Sequence, residues 1–238
     1  MSISSSASSM LRERIALLMP VVEYRNMLEP EDKEAAYRLR YDAYRRENRI
    51  QENPQRLSHD FLDEVPNAQT FGVFVAGKLA SSIRLNMVTS ACPHSISMVS
   101  NQEFLEAKLA NGVTFIDPSR FVIDLRSVCD FPELPYLTMR LPVMACLHFG
   151  VDECLTLVRP EHHSFYRRIF RSTAIAEPVY LEMLNMNVQL MSSGVDDIHD
   201  ELDDRYPFFR SNHFERRRLF GRKQDMIGFG EPDQFIAA

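Results

Sequence analysis

Asp117-Pro118-Ser119-Arg120-Phe121-Val122-Ile123-Asp124-Leu125-Arg126 is the stretch on which the reading of this chain turns. A carboxylate and a Ser-Arg pair stand at its head, and the residues after them alternate. Phe121, Ile123 and Leu125 fall on one face of a strand, and Arg120, Val122, Asp124 and Arg126 on the other. An acid, a hydroxyl and a guanidinium at the entrance to a core strand cost stability unless they are paired or used. The spacing therefore predicts a central strand over 119–126, with chemistry at its mouth.

The rest of the composition narrows the classes open to the chain. Its 238 residues, 45% hydrophobic, suffice for one substantial core. A net charge of −6 argues against non-specific nucleic-acid binding. Cys92, Cys129, Cys146 and Cys154 show neither Cys-x-x-Cys spacing nor a histidine at ligand distance. They read as free thiols in a reducing compartment, and no metal is expected. Residues 1–18 read as a flexible, Ser-rich lead in which Arg12, Glu13 and Arg14 interrupt any apolar run, unlike a secretory signal. No stretch approaches the ~20 apolar residues of a membrane helix. A cytoplasmic location follows as an expectation.

Working outward along the chain, Val21–Tyr24 reads as a short strand. Pro30 opens a helix with Glu31 and Asp32 in its first turn, where the helix dipole favours acids. Tyr37, Tyr41 and Tyr44 recur on it at i, i+4 and i+7, beside Arg40. Two strands, 70–76 and 79–87, flank Gly77-Lys78 as a hairpin. Ser100-Asn101-Gln102-Glu103 fits a capping box for a helix ending near Gly112. After the central strand come Pro132 and Pro135, an apolar helix to Gly150 bearing Pro142, a buried strand at 154–158, a helix around 162–170 and a last strand at 185–191. The order is an α/β (α+β) one, a mixed sheet with helices on both faces. Residues 19–195 form the domain and 196–238 an extension packed on it.

Several motifs now resemble one family in order. Asp117-x-Ser119-Arg120-Phe121 resembles the acid-x-Ser-Arg-Phe signature of acyl-homoserine lactone synthases and of long-chain N-acyl amino acid synthases, within the N-acetyltransferase-like (GNAT) superfamily. Leu39–Tyr44 resembles their Arg-x-x-x-aromatic helix, His59–Asp63 their acidic loop, and Gly77–Leu85 their glycine hairpin ending in Arg-Leu. Val158–Phe170 is more similar to the N-acyl amino acid branch. The resemblance implies a GNAT-like, mostly antiparallel sheet and an amide-forming acyltransferase.

It also implies a pocket gathering Arg40, Asp60, Asp63, Arg84, Asp117 and Arg120, three of each sign, beside Tyr44 and Phe121. An ion-pair network tying helix to sheet explains Asp60, Asp63 and Arg84 equally well. Asp117, with Ser119, is assigned to catalysis. An amine attacking a thioester must lose a proton to a base, and the resulting oxyanion needs a backbone N–H where the strand is bulged. Either Arg84 or Arg120 can clamp an acceptor carboxylate. The synthases carry Glu where this chain has Asp117, and the shorter arm favours a water-mediated role.

The donor reading rests on a departure. Acetyltransferases follow the central strand with a Gly-rich loop that cradles coenzyme A pyrophosphate, yet no Gly lies between Val113 and Phe149. A phosphopantetheine arm on acyl carrier protein is the expected donor, with coenzyme A the alternative. Its phosphate is placed at Leu137-Thr138-Met139-Arg140 and the arm along Val122. Met139, Met144, Phe149, Phe165 and Phe170 are candidate acyl-tunnel residues, with ordinary core the plainer reading. Tyr166 and His162 (or His163) complete the set. Arg216, Arg217, Arg218, Arg222 and Lys223 form a basic patch, a solvated face or a dock for acidic carrier protein. The reading is N-acyl amino acid synthesis, from acyl carrier protein to the α-amine of an amino acid. The alternatives are an acyl-homoserine lactone synthase, whose usual N-terminal Trp this chain lacks, and a non-catalytic acyl-binding module.

Overall fold

Ala76 and Gly77 turn the chain at positive φ (+49° and +79°), joining β2 (Ala68–Val75) to β3 (Lys78–Val88). Two successive positive φ angles match the right-handed twist of the flanking strands, which is why a tight hairpin forms here. The computed structural model describes residues 3–196, 202 and 205–221. Around the hairpin it adds β1 (Val22–Asn26) and β4 (Phe115–Ile123), then β5 (Glu153–Val158), β6 (Thr173–Ala174), β7 (Val179–Leu181) and β8 (Met186–Gly194). The eight-stranded sheet runs β1-β2-β3-β4-β5-β8-β6, with β7 on β8. Every pairing is antiparallel except β4 with β5, which match only at Phe115–Glu153 and Ile116–Cys154.

The helices are α1 (Ile3–Leu18), α2 (Pro30–Arg46), α3 (Ile96–Ser100), α4 (Gln102–Ala110), α5 (Leu125–Asp130), α6 (Leu134–Phe149), α7 (His163–Phe170) and α8 (His213–Phe220). Strand alternation divides the sheet chemically. Phe71, Val73, Ile83, Leu85, Met87 and Ile116 point to one side, into a core shared with α6 and α8. Thr70, Arg84, Asn86, Asp117 and Ser119 alternate with them, towards α2 and α3. The apolar face holds the fold, and the polar face is buried with it.

The central strand ends earlier than its alternation predicts. Asp124 leaves the sheet and caps α5, accepting from Ser127 N–H at 2.9 Å and from its hydroxyl at 3.0 Å. Leu125 is consequently half exposed rather than core-facing. The alternation breaks within β4 too. Arg84 lies opposite Ser119 and Ser82 opposite Val122, so β4 carries one extra residue, a β-bulge. Arg120 takes a positive φ of +54° there, a conformation costing a non-glycine residue about 1 kcal/mol or more.

The flexible lead expected over residues 1–18 is instead α1. Leu11, Ile15 and Leu18 recur at i, i+4 and i+7 and pack with Leu134, Leu137, Val75 and Ala80, and Ile15 is fully buried. The charges that broke the apolar run fit this helix, since Arg14 Nε meets the buried Glu133 carboxylate at 2.5 Å. Ser100 makes no capping box. It ends α3 and donates back to Ile96 O at 3.0 Å, leaving Asn101 to precede α4 without a side-chain cap.

Arg140 is a structural residue, contrary to its assignment to the donor phosphate. Its guanidinium grips the Glu215 carboxylate of α8, and it donates to Phe208 O at 2.8 Å and Arg210 O at 2.5 Å. Replacing it, as Arg140→Met, should lower unfolding free energy by on the order of 2 kcal/mol. That is less than the ~3–5 kcal/mol of a fully buried pair, because Glu215 keeps a route to water. Urea titration checks this; an unchanged midpoint would free Arg140 for ligand binding.

Candidate active site

Where β4 and β5 stop pairing after Ile116 and Cys154, the strands part and a cavity of about 650 Å³ opens between them. Pro118–Ile123 line it from β4, and Thr156, Leu157 and Val158 from β5. Its floor is one stripe of α6, made of Pro135, Tyr136, Met139, Pro142, Val143 and Cys146, which repeats at helical spacing. Phe165, Tyr166 and Phe170 of α7 close the far wall. The chamber is mostly apolar, and Arg84, Ser119 and Arg120 make a polar end to it.

That end is built on the acidic loop. Asp60 and Asp63 form a capping box around the 3-10 turn Phe61–Asp63, with Asp60 N–H donating to Asp63 Oδ2 at 3.0 Å and Leu62 N–H to Asp60 Oδ1 at 2.9 Å. The turn aims both carboxylates at three guanidiniums. Arg40 Nη1 meets Asp63 Oδ1 at 2.7 Å and its Nη2 donates to Thr70 Oγ1 at 2.9 Å. Arg84 Nη1 bridges Asp60 Oδ1 at 2.7 Å and Asp63 Oδ1 at 3.2 Å, and its Nε donates to Ser119 Oγ at 3.1 Å. Arg120 clasps Asp60 Oδ2, its Nε at 2.9 Å. Three guanidiniums thus share the two carboxylates of the turn, and two of them, Arg84 and Arg120, line the cavity.

The protonation states follow from this arrangement. Burial pushes the Asp60 carboxyl up, but the Arg120 and Arg84 charges outweigh it and hold the group below its ordinary value. For Asp117 burial wins. Hydrogen bonds from Ser95 and Ser97 and the more distant Arg84 charge do not offset it, so its carboxyl sits above the usual range. Asp117 is fully buried inside β4, behind Pro118 and Ser119, with Oδ2 accepting from Ser97 N–H at 3.0 Å. It does not line the cavity.

Among the expected site residues, Tyr44, Arg84, Ser119, Arg120, Phe121, Val122, Met139, His162, Phe165 and Tyr166 share the cavity wall. Arg40, Asp60 and Asp63 stand behind it as the ion network. Leu137, Thr138 and Arg140 lie on other faces of α6. The helix begins at Leu134, so 137–140 is its second turn, without the free N–H groups a phosphate needs. Leu137 packs on α1, and Thr138 Oγ1 bonds Ser81 Oγ at 2.5 Å and Leu134 O at 2.8 Å. Met144 and Phe149 belong to the core and Phe170 to the cavity. Arg217 and Arg218 are exposed on α8, whereas Arg216 donates to Ser211 O at 2.8 Å; Arg222 and Lys223 lie outside the described residues. The sequence reading passed over the Pro135–Cys146 stripe, although its spacing was legible, and the β7–β8 tip. There Leu181, Met183 and Met186 reach the cavity, and Arg120 Nη2 approaches Met183 Sδ at 3.5 Å.

Known proteins share this architecture. The family model described as N-acyl amino acid synthase FeeM matches residues 35–193, more than half the chain. The structure of FeeM, an N-acyl amino acid synthase from uncultured soil microbes, superposes with a TM-score of 0.62 at 18% identity over 75% of this chain and 93% of that one. BjaI, a coenzyme A-dependent acyl-homoserine lactone synthase, gives 0.57 at 16% over 78% and 89%. The acyl-homoserine lactone synthase LasI gives 0.53 at 12% over 84% and 94%. No curated protein sequence matches the chain.

The network predicts two stability effects. Arg40→Met removes the shortest ion pair of buried Asp63 and leaves it Arg84 at 3.2 Å and the Asp60 N–H, so it should cost about 3 kcal/mol by chemical denaturation, the low end for a broken buried pair. The Asp60 contribution is fully present above the unfolded carboxylate pKa of ~3.9 and is lost as pH falls through its lowered folded value. The acid unfolding curve of Asp60→Asn should therefore be flatter below pH ~4 than that of the parent, and superimposable curves would remove Asp60 from the network.

Proposed function

Because the chain belongs to the FeeM family of N-acyl amino acid synthases, and is an amide-forming N-acyltransferase of the GNAT fold, we propose that it moves a medium or long acyl chain from acyl carrier protein to the α-amine of an amino acid. The observation carrying this reading is the pairing of an apolar chamber with guanidinium groups, those of Arg84 and Arg120, in its wall. An acyl chain suits the chamber. A carboxylate-bearing acceptor suits the cation, through Arg84 or Arg120.

The chemistry follows from the strand geometry. β4 beyond Ile116 has no β5 partner, so backbone N–H groups on that edge are free to hold the thioester carbonyl and stabilise the oxyanion formed on attack. The amine gives its proton to Asp117, whose raised pKa makes it a stronger base than an ordinary aspartate once ionised. Ser119, fixed by Arg84, stands between the two. Collapse of the tetrahedral adduct expels the pantetheine thiolate, which takes up a proton, and leaves the amide.

Asp117→Asn should reduce kcat by about 10²–10⁴-fold with the fold intact, the usual worth of a general base. A variant that keeps more than roughly a third of the parental rate would place the base elsewhere. Arg120→Ala should raise KM for an amino acid and leave a decarboxylated amine analogue comparatively unaffected, and equal losses would make Arg120 structural.

The donor is acyl carrier protein by the same reading, supported by the missing Gly-rich loop and by Arg217 and Arg218 exposed together on α8. Acyl carrier protein thioesters should outperform the coenzyme A thioester in kcat/KM. The preference should shrink with salt over a screening length of ~8–10 Å. It should largely disappear in Arg217→Glu/Arg218→Glu, and equal efficiency at low salt would overturn the carrier assignment.

A further inference from the structure

Tyr166 of α7 is 9% exposed and lines the chamber. Among the described residues its hydroxyl meets no nitrogen or oxygen. Its hydrogen-bond partner is Met139 Sδ, 3.8 Å away on the α6 stripe. A thioether is a weak acceptor, and a buried tyrosine hydroxyl ordinarily finds a stronger one. Burial pushes the phenol above its usual value, with the Cys154 thiol adding to the shift. The group therefore stays protonated at physiological pH and always has a hydrogen to donate.

The groups around this hydroxyl are aromatic rings and sulfur. The Phe165 and Phe170 rings lie 5.2 and 6.0 Å from the Tyr166 ring, centroid to centroid, and the sulfurs are those of Met139 and Cys154. Arg84, Ser119 and Arg120 belong to another part of the wall, on β3 and β4. A plain hydrocarbon chain filling the chamber would keep water from the phenol and leave its donor unpaired, which weakens binding. An oxygen carried on the chain would accept that hydrogen, and its own burial would be compensated in the same contact.

We infer that the Tyr166 hydroxyl binds an oxygen on the acyl chain, so that the preferred acyl group bears a hydroxyl or keto group partway along it and is not plain hydrocarbon. The inference rests on the chamber being the acyl site of the proposed synthase. Met139 lies inside the Pro135–Cys146 stripe and not at either end of it. The oxygen it and Tyr166 meet therefore belongs within the chain, apart from the thioester carbonyl that the free edge of β4 receives. Binding involves no covalent step. The phenol donates, the chain oxygen accepts, and Met139, whose unbranched side chain adapts readily, gives up a weak contact. A site holding a buried donor discriminates against the analogue that cannot accept, because the donor then goes unpaired.

The test gives the intact protein an amino acid and acyl carrier protein thioesters of one chain length, with a single hydroxyl moved carbon by carbon along the chain. At one position the hydroxylated chain should surpass the plain one in kcat/KM by about 3–10-fold, the worth of a neutral hydrogen bond. A keto group at that carbon should keep the preference, and a methyl branch, which fills space without accepting, should not. In Tyr166→Phe the preference should vanish. Calorimetric binding of the matching acyl-pantetheine thioesters, without acceptor, should show the same ratio. A preference in binding without turnover would uphold the inference and remove the synthase activity it was drawn from. A plain chain that matches or beats every oxygenated one in the parental protein would overturn the inference, whether or not the variant folds, and leave the synthase standing. So would a Tyr166→Phe that slows all donors equally, which would make the phenol an acid for the leaving thiolate or a packing group.

Discussion

The site exists because two parallel strands pair for only two residues. β4 and β5 match at Phe115–Glu153 and Ile116–Cys154 and then separate, which leaves an edge of unpaired backbone in the middle of an eight-stranded sheet. Such an edge is costly in a folded interior. Here it becomes the wall of a cavity, floored by one apolar stripe of α6 and closed by α7. The bulge at Arg120 belongs to the same constraint. One extra residue in β4 re-aims the strand just past the last paired position and turns a guanidinium into the cavity wall.

The polar end is held in place by an unequal ion network. Asp60 and Asp63 come from a turn whose own backbone they cap, so their orientation is fixed before the arginines are counted. Arg40 and most of Arg84 are then spent on structure, and the same buried carboxylates that stabilise α2 against the sheet hold Arg84 and Arg120 at the cavity. Network and cavity wall are therefore one object. The alternatives that stood open for Asp60, Asp63 and Arg84 divide by exposure to the cavity: Asp60 and Asp63 lie behind the wall, and Arg84 has a foot on each side.

Much of this was legible in the sequence, and the lapses share a cause. The Gly77 hairpin, the tyrosine stripe of α2 and the order of strands and helices were set by local turn chemistry and periodicity, which act over a few residues. Local rules failed where a long-range partner decided. Alternation alone carried the central strand through Asp124 and Leu125, but the Asp124 cap on Ser127 ended it. Arg140 lay near the expected donor site in sequence, yet Glu215, 75 residues away, claims it. The Ser-rich N-terminus offered a poor composition for order, but the face Leu11–Ile15–Leu18 finds Leu134 and Leu137 waiting uncovered on α6.

Asp117 shows how an unusual residue can be legible in a sequence while its placement stays hidden. An acid before Ser-Arg-Phe is visible as unusual, but its distance from the substrate depends on which way one strand residue points. In β4 it points towards α3, where it accepts from Ser97 N–H, and not into the chamber. Burial there raises its proton affinity and at the same time removes it from direct contact with an acceptor.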